Sequence, residues 1–275
     1  MAAPTVLITG ASRGVGRATV DRFRQDGWRV VAGVRDPGAT DLSEAGDMTV
    51  VRMDMSEPDQ VRAAVATAEE RAGGALDCLV NNAAYGVMGA VEDVDLEASR
   101  EMFETNVFGV IGAIQAVLPA MREAGAGAVV NVSSIGGRIT NPLVGVYHAS
   151  KYALTALSEA LAMEVGPFGV RVVTVEPGMV ATGFSASVTP TGSLARGNGP
   201  YEELFDGLRE GFRGWRERYE VPPERVAEAI FEAASDPATP FRVLVGRDAE
   251  LIARERATRD DDDFQQFMAG FLGLG

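Results

Sequence analysis

Short apolar runs rich in Val and Ile recur along the chain, separated by longer stretches in which apolar residues return every three or four positions. The runs Thr5–Thr9, Trp28–Val34, Thr49–Met53, Cys78–Asn81, Ala128–Val132, Val170–Val175 and Arg242–Val245 predict seven strands. Between them, Arg17–Gln25, Glu57–Arg71, Ala98–Arg122 and Tyr147–Val165 predict helices. The runs are continuous rather than alternating, as befits parallel strands covered by helices on both faces. The pattern therefore predicts an α/β fold with a doubly wound, seven-stranded parallel sheet and helices on both faces, formed as a single domain over residues 1–275.

Two regions break the rhythm. Residues 183–220 are polar and Gly-rich, with one helical stretch around Tyr201–Arg218, and are expected to form a substrate lid. Its apolar residues Phe184, Leu204, Phe205, Leu208, Phe212 and Trp215 either close over a hydrophobic substrate or pack on the sheet. In the tail, Asp260–Asp263 precede Phe264, Phe267, Met268 and Phe271 at helical spacing, so the aspartates read as a helix N-terminus rather than a cation site.

Composition narrows the function. The 275 residues hold 25 basic and 39 acidic side chains, a net charge of −14, which argues against nucleic acid and anionic membranes as partners. The apolar stretch Gly109–Met121 is interrupted by Gln115 and Pro119 and falls short of the roughly 20 residues a membrane span needs. The opening MAAPTVLITG has no charged leader region, so a cytoplasmic protein is expected. One cysteine, Cys78, and one histidine, His148, leave no internal disulfide and no His-rich metal set, and no metal is expected.

Directly after the first strand comes Thr9-Gly10-Ala11-Ser12-Arg13-Gly14-Val15-Gly16, opening the first helix. Glycines there let a pyrophosphate approach the backbone, and unpaired N–H groups with the helix dipole favour its charge. This context predicts a dinucleotide site on a Rossmann fold, although glycine spacing alone also fits a tight strand-to-helix turn. The spacing G-x-x-x-G-x-G resembles that of the short-chain dehydrogenase/reductase family. Further motifs follow in that family's order over about the first 185 residues: Asp54, Asn81-Asn82-Ala83-Ala84, Asn106, Asn131-Val132-Ser133-Ser134, Tyr147-x-x-x-Lys151 and Pro177-Gly178-Met179-Val180-Ala181-Thr182. Ala84 departs from the family's glycine.

The resemblance implies roles. Gly10, Ser12, Arg13, Gly14, Val15 and Gly16 would hold the pyrophosphate, Asp54 the adenine amino group, and Pro177, Val180 and Thr182 the nicotinamide side. Asn81 would also contact the cofactor, Lys151 would reach the nicotinamide ribose, and Asn106 would hold Lys151 through a water. Ser134, 13 residues before Tyr147, is taken as the catalytic serine, with Ser133 as the alternative.

The residues carry a chemical reading of their own. Tyr147 and Lys151 are one helical turn apart, about 6 Å along the axis. A free phenol has a pKa of about 10, and a neighbouring ammonium is expected to lower it. Tyr147 would then give its proton to a carbonyl oxygen as hydride reaches the carbon, while Ser134 hydrogen-bonds the same oxygen. His148 is expected to point elsewhere, at the pocket rim or surface, and Cys78 to pack in the core.

Cofactor choice is written at the end of the second strand, in Val34-Arg35-Asp36-Pro37. By the family's pattern Val34 stands where NAD-specific members carry an acid. Arg35, with Arg13, supplies positive charge for a 2′-phosphate, so NADP(H) is expected and NAD(H) is the alternative. Asp36 before Pro37 reads as a turn residue.

The chemistry expected is thus NADP(H)-dependent interconversion of a ketone or aldehyde with an alcohol, on a small hydrophobic substrate. A catalytically silent NADP(H)-binding regulator and an NAD(H)-preferring alcohol dehydrogenase are the rivals. A nucleotide-sugar epimerase shares Tyr-x-x-x-Lys, but the glycine spacing and the short C-terminal part disfavour it. The C-terminal part resembles the hydroxysteroid-dehydrogenase-like members, which leaves the assembly open between a homodimer and a homotetramer.

Overall fold

A computed structural model describes residues 3–182 and 188–274. In chain order the elements are β1 (Thr5–Thr9), α1 (Gly14–Gln25), β2 (Arg29–Val34), β3 (Met48–Arg52), α2 (Pro58–Ala72), β4 (Cys78–Asn81), β5 (Gly86–Met88), α3 (Leu96–Phe103), α4 (Gly109–Ala124), β6 (Gly127–Val132), α5 (Gly145–Val165), β7 (Val170–Pro177), β8 (Val188–Pro190), α6 (Gly192–Arg196), α7 (Glu202–Tyr219), α8 (Pro223–Ser235), β9 (Arg242–Val245), α9 (Arg247–Thr258) and α10 (Asp261–Leu272).

Seven strands form one parallel sheet in the order β3-β2-β1-β4-β6-β7-β9. This is the predicted doubly wound sheet, and its strand order reverses between β1 and β4. On one face, α1 and α8 bury Val20, Phe23, Val226 and Ile230 against β1, β2 and β6. On the other, α2, α4 and α5 bury Val61, Val65, Val110, Val117 and Leu154. Each strand thus needs apolar side chains on both faces, which explains the unbroken Val and Ile runs.

The predicted helix Ala98–Arg122 is a continuous helical segment, Leu96–Ala124, with a π turn over Glu104–Phe108. By length and composition it is apolar enough to cross a membrane. Its apolar face, Val110, Ala113, Ile114, Val117 and Met121, instead packs into the sheet core, which accounts for that composition.

The sequence pattern did not predict β5 and β8, which pair as a small parallel sheet beside the main one. The helix expected around Tyr201–Arg218 is α7, and it packs on α10 rather than on the sheet. A third core joins Leu208 and Trp215 of α7, Ile252 of α9, and Phe264 and Met268 of α10 to Ile135, Ile139 and Leu143. Phe184 lies outside the described residues. At the start of α10, Asp260 accepts a hydrogen bond from the Asp263 N–H, so the acidic run is a helix cap, as expected.

Candidate active site

One cleft of about 1720 Å³ opens at the C-terminal ends of β1, β4, β6 and β7, where the strand order reverses. A ligand crevice is expected there in an open α/β sheet.

Its first end is made mostly of backbone. The chain leaves β1 and turns at Gly10, whose φ is +67°. A Cβ on Gly16 would lie 2.2 Å from the Gly10 carbonyl oxygen, so the helix starts closer to the strand end than any side chain allows. Asn82 fastens the turn: its Nδ2 donates to the carbonyls of Thr9 (2.9 Å) and Gly10 (3.2 Å). Thr9 Oγ1 accepts from the N–H groups of Asn82 and Ala83, both at 3.0 Å. Helix α1 has no side-chain cap and no acidic residue in its first turn. Its opening N–H groups and dipole therefore present positive charge where Ser12, Arg13, Gly14 and Val15 line the cleft, a donor set suited to a pyrophosphate.

Arg35 and Asp54 border the same end. Arg35 is exposed at the end of β2 and has no ion-pair partner among the described residues. Asp36 caps the turn that follows, accepting from the Gly38 N–H at 3.0 Å, and stands 3.8 Å from Arg52. It is the turn residue the sequence suggested. Asp54 Oδ1 accepts from the N–H and hydroxyl of Ser56 at 3.0 and 2.8 Å.

The other end is made of buried side chains. Ser134 follows β6; its hydroxyl accepts from the Gly136 N–H at 3.0 Å and lies in the cleft beside the Tyr147 phenol. Lys151 is 3% exposed; its Nζ donates to the Val132 carbonyl at 3.0 Å and lies 6.0 Å from the Tyr147 ring centre. Burial dominates here. It pushes the phenol up to about 12, with the Ser134 hydrogen bond pulling the other way, and the ammonium down to about 8. The expected lowering of Tyr147 is therefore corrected: in the protein by itself, desolvation by burial sets the direction of the shift. Ser133, the alternative serine, has its hydroxyl 3.0 Å from Thr155 Oγ1 and 3.4 Å from the Lys151 carbonyl, facing the body of α5.

Two predicted site residues do not border the cleft. Asn81 is buried; its Nδ2 donates to Asn131 Oδ1 at 2.8 Å, and Asn131 donates to Ser158 Oγ at 2.8 Å. This chain ties β4 and β6 to α5, because Asn81 and Asn131 are in register on adjacent strands and their side chains stand on the same face of the sheet. Asn82 and Ala83, one step on, are the ones that face the cleft. Asn106 sits in the π turn, donates to the Tyr85 carbonyl (2.9 Å) and Ser150 Oγ (3.1 Å), and accepts from the Tyr85 N–H (3.2 Å). Ser150 in turn donates to the Tyr147 carbonyl at 2.7 Å, so Asn106 braces the start of α5. His148 is buried and borders the cleft, the first of the two places expected for it.

Sequence reasoning gave no role to Asp248. Its buried Oδ2 accepts from the Met179 N–H (2.7 Å) and from Trp215 Nε1 (2.6 Å), joining the Pro177–Thr182 loop to α7. A Cβ on Gly178 would meet both Asp248 oxygens at 2.2 Å, so a glycine there is required by the close approach. The signal was a glycine directly after each of two strands, Gly178 after β7 and Gly246 after β9, with an acid at the start of the helix that follows. Pro177, Val180 and Thr182 of this loop line the cleft, as do Phe205, Phe212 and Trp215 of α7.

Comparison with known proteins agrees with this geometry. Residues 4–192 match the family model described as short chain dehydrogenase. The chain is 34% identical to 3-ketodihydrosphingosine reductase of Bacteroides thetaiotaomicron, over 98% of each protein. Among solved structures it is similar to a short-chain dehydrogenase from Streptomyces avermitilis, with TM-score 0.82 and 30% identity over 99% of this chain and 97% of that one. It is also similar to a short chain dehydrogenase from Burkholderia cenocepacia in complex with NADP, with TM-score 0.76 and 26% identity over 98% and 97%.

Proposed function

The chain belongs to the short-chain dehydrogenase/reductase family of oxidoreductases, and from that premise we propose that it reduces a hydrophobic ketone or aldehyde with NADPH, or runs the reverse oxidation. The observation that carries this reading is that Ser134, Tyr147 and Lys151, the last one turn along α5 from the phenol, line the same cleft as the glycine turn. When bound, the nicotinamide cofactor supplies or accepts the hydride. Gly10, Ser12, Arg13, Gly14, Val15 and Gly16 hold its pyrophosphate, Asp54 its adenine, and Pro177, Val180 and Thr182 its nicotinamide side.

Tyr147 gives its proton to the carbonyl oxygen in reduction. With burial holding the phenol near 12, it is protonated throughout the neutral range, which suits a proton donor. In oxidation the same group must lose its proton first, so that direction speeds up as pH rises. Ser134 donates to the developing oxyanion. Lys151 holds the ribose hydroxyls and, as ammonium, stabilises phenolate. Asn106 and Asn81 are positioning residues that act through Ser150 and Asn131.

Arg35 and Arg13 support the NADP(H) preference. An arginine matches a 2′-phosphate bidentately, and Asp36 is engaged in its own turn. A hydrophobic substrate is supported by Met88, Met179, Phe205, Phe212 and Trp215 along the cleft, and a ketone by the 3-ketodihydrosphingosine in the name of the Bacteroides relative. We take 183–220 as the substrate lid, with α7 as its described wall. Exposed Phe108, Leu157 and Met163 near α4 and on α5 offer a face for a second copy, in a homodimer or homotetramer.

The test is NADPH oxidation across long-chain ketones, steroids and quinones. Turnover of a hydrophobic carbonyl, faster with NADPH than with NADH, is expected. Tight NADPH binding without turnover of any carbonyl would favour a silent binding protein instead.

A further inference from the structure

The cleft wall between Ser134 and Tyr147 carries two polar side chains that have no part in the chemistry above. His148 is 6% exposed and borders the cleft, and its Nδ1 accepts a hydrogen bond from the Asn141 N–H at 3.1 Å. A ring nitrogen that accepts carries no proton, so in the neutral imidazole the proton sits on Nε2. Burial pushes His148 down to about 4, which keeps the ring neutral in this form over the neutral range. Nε2 is thus a fixed donor, and no described residue accepts from it. A Cβ on Gly136 would stand 2.8 Å from His148 Nε2 and 3.4 Å from Ser134 Oγ, so the imidazole edge and the serine hydroxyl flank one glycine. Asn141, 4% exposed, borders the same cleft, and its Oδ1 is buried without a partner among the described residues.

Unlike Asn141 Oδ1, Nε2 is not sealed off: it opens on the cleft, where a ligand oxygen can accept from it in place of water. We propose that His148, with Asn141 beside it, is a specificity-determining residue whose Nε2–H binds a second oxygen of the substrate, a few bonds from the carbonyl on which Ser134 and Tyr147 act. The substrates favoured are then ketones with an ester, hydroxyl or second carbonyl oxygen near the reacting carbon, over plain ketones of equal length. The inference rests on the carbonyl-reductase reading. It assigns His148 no proton transfer; the group orients the substrate and discriminates among substrates.

The test compares methyl 3-oxooctanoate with 5-decanone, which have the same chain length and differ in the ester oxygens. The ratio of their kcat/KM values is measured in wild type, His148→Phe and His148→Gln. A ratio on one preparation is independent of the fraction folded. Phe should lower the ratio roughly fivefold to tenfold, the worth of one neutral hydrogen bond, and Gln, which restores an N–H donor, should recover part of it. Because the chain has one histidine, nitrogen NMR of labelled histidine reads the same group without turnover. The free protein should show the Nε2–H form, and methyl 3-hydroxyoctanoate should shift that signal while 5-decanol leaves it in place. A ratio unchanged in His148→Phe, or a histidine signal indifferent to the ester, would overturn the proposal. Failure of wild type to reduce either ketone would count against the carbonyl-reductase reading instead, and the NMR shift would still decide the role of His148.

Discussion

The two ends of the cleft are built from different materials. At the glycine end, between β1 and α1, the groups that face the ligand are backbone N–H groups and exposed arginine, and what makes the end possible is the lack of side chains at Gly10 and Gly16. At the phenol end the groups are side chains, Ser134, Tyr147, Lys151 and His148, and their properties come from burial. Backbone donors have a fixed charge that pH does not alter, which suits holding a phosphate. Buried side chains have shifted protonation, which suits moving a proton. Substitutions at the two ends should therefore fail differently, through affinity at one and turnover at the other.

Lys151→Ala should have the largest effect, because this residue is the one that serves both ends. Turnover should fall by about 10² to 10⁴, and NADPH affinity should fall with it, as read by steady-state kinetics and a fluorescence titration. With its pKa held near 8, Lys151 is charged below that pH and neutral above it. In wild type the kcat/KM for NADPH should decline as pH rises through about 8, and Lys151→Ala should flatten that decline.

Gly16→Val should come next. The new Cβ would collide with the Gly10 carbonyl, displacing the turn and the start of α1. A loss of cofactor affinity of about 100-fold or more is expected, with a lower melting temperature. Retained affinity would mean that the turn is not the phosphate site.

Arg35→Ala should be smaller and sharper. A charge-assisted hydrogen bond to a 2′-phosphate is worth about 1.5 to 3 kcal/mol, reduced by the exposure of Arg35. The KM for NADPH should rise roughly tenfold while that for NADH barely moves, and the difference should shrink at high salt. Equal losses with both cofactors would make Arg35 a structural residue.

A separate effect, on stability rather than on the ligand, belongs to His148. Its folded pKa, near 4, lies below its unfolded value near 6.5, so the unfolded chain takes up the proton first as pH falls. Stability should be lost progressively between about pH 6.5 and 4, by up to about 3 kcal/mol, and denaturant midpoints for His148→Phe should lack that component.

How much of this was legible in sequence follows the same division. The seven main strands were readable because a strand covered on both faces must be apolar at every position, as in Val6-Leu7-Ile8. Strands β5 and β8 were not, since three residues carry no periodicity and their partners lie about a hundred positions apart. The glycine turn was readable because its chemistry is the absence of side chains. Burial was not: nothing in Tyr147-x-x-x-Lys151 says that desolvation will raise the phenol, or which of pocket rim and surface His148 takes. Nor does Asn81-Asn82 say which asparagine faces the ligand; that depends on which one ends β4. The π turn that aims Asn106 at Tyr85 and Ser150 has the composition of ordinary helix.

The most direct test of the division is a paired measurement on Tyr147→Phe, which deletes one hydroxyl at the phenol end and leaves the glycine end untouched. NADPH affinity by fluorescence titration should stay within about twofold of wild type while turnover of the best carbonyl substrate falls by at least 100-fold, the lower bound for losing a positioned acid. Turnover within tenfold of wild type, or a loss of affinity as large as the loss of turnover, would contradict it.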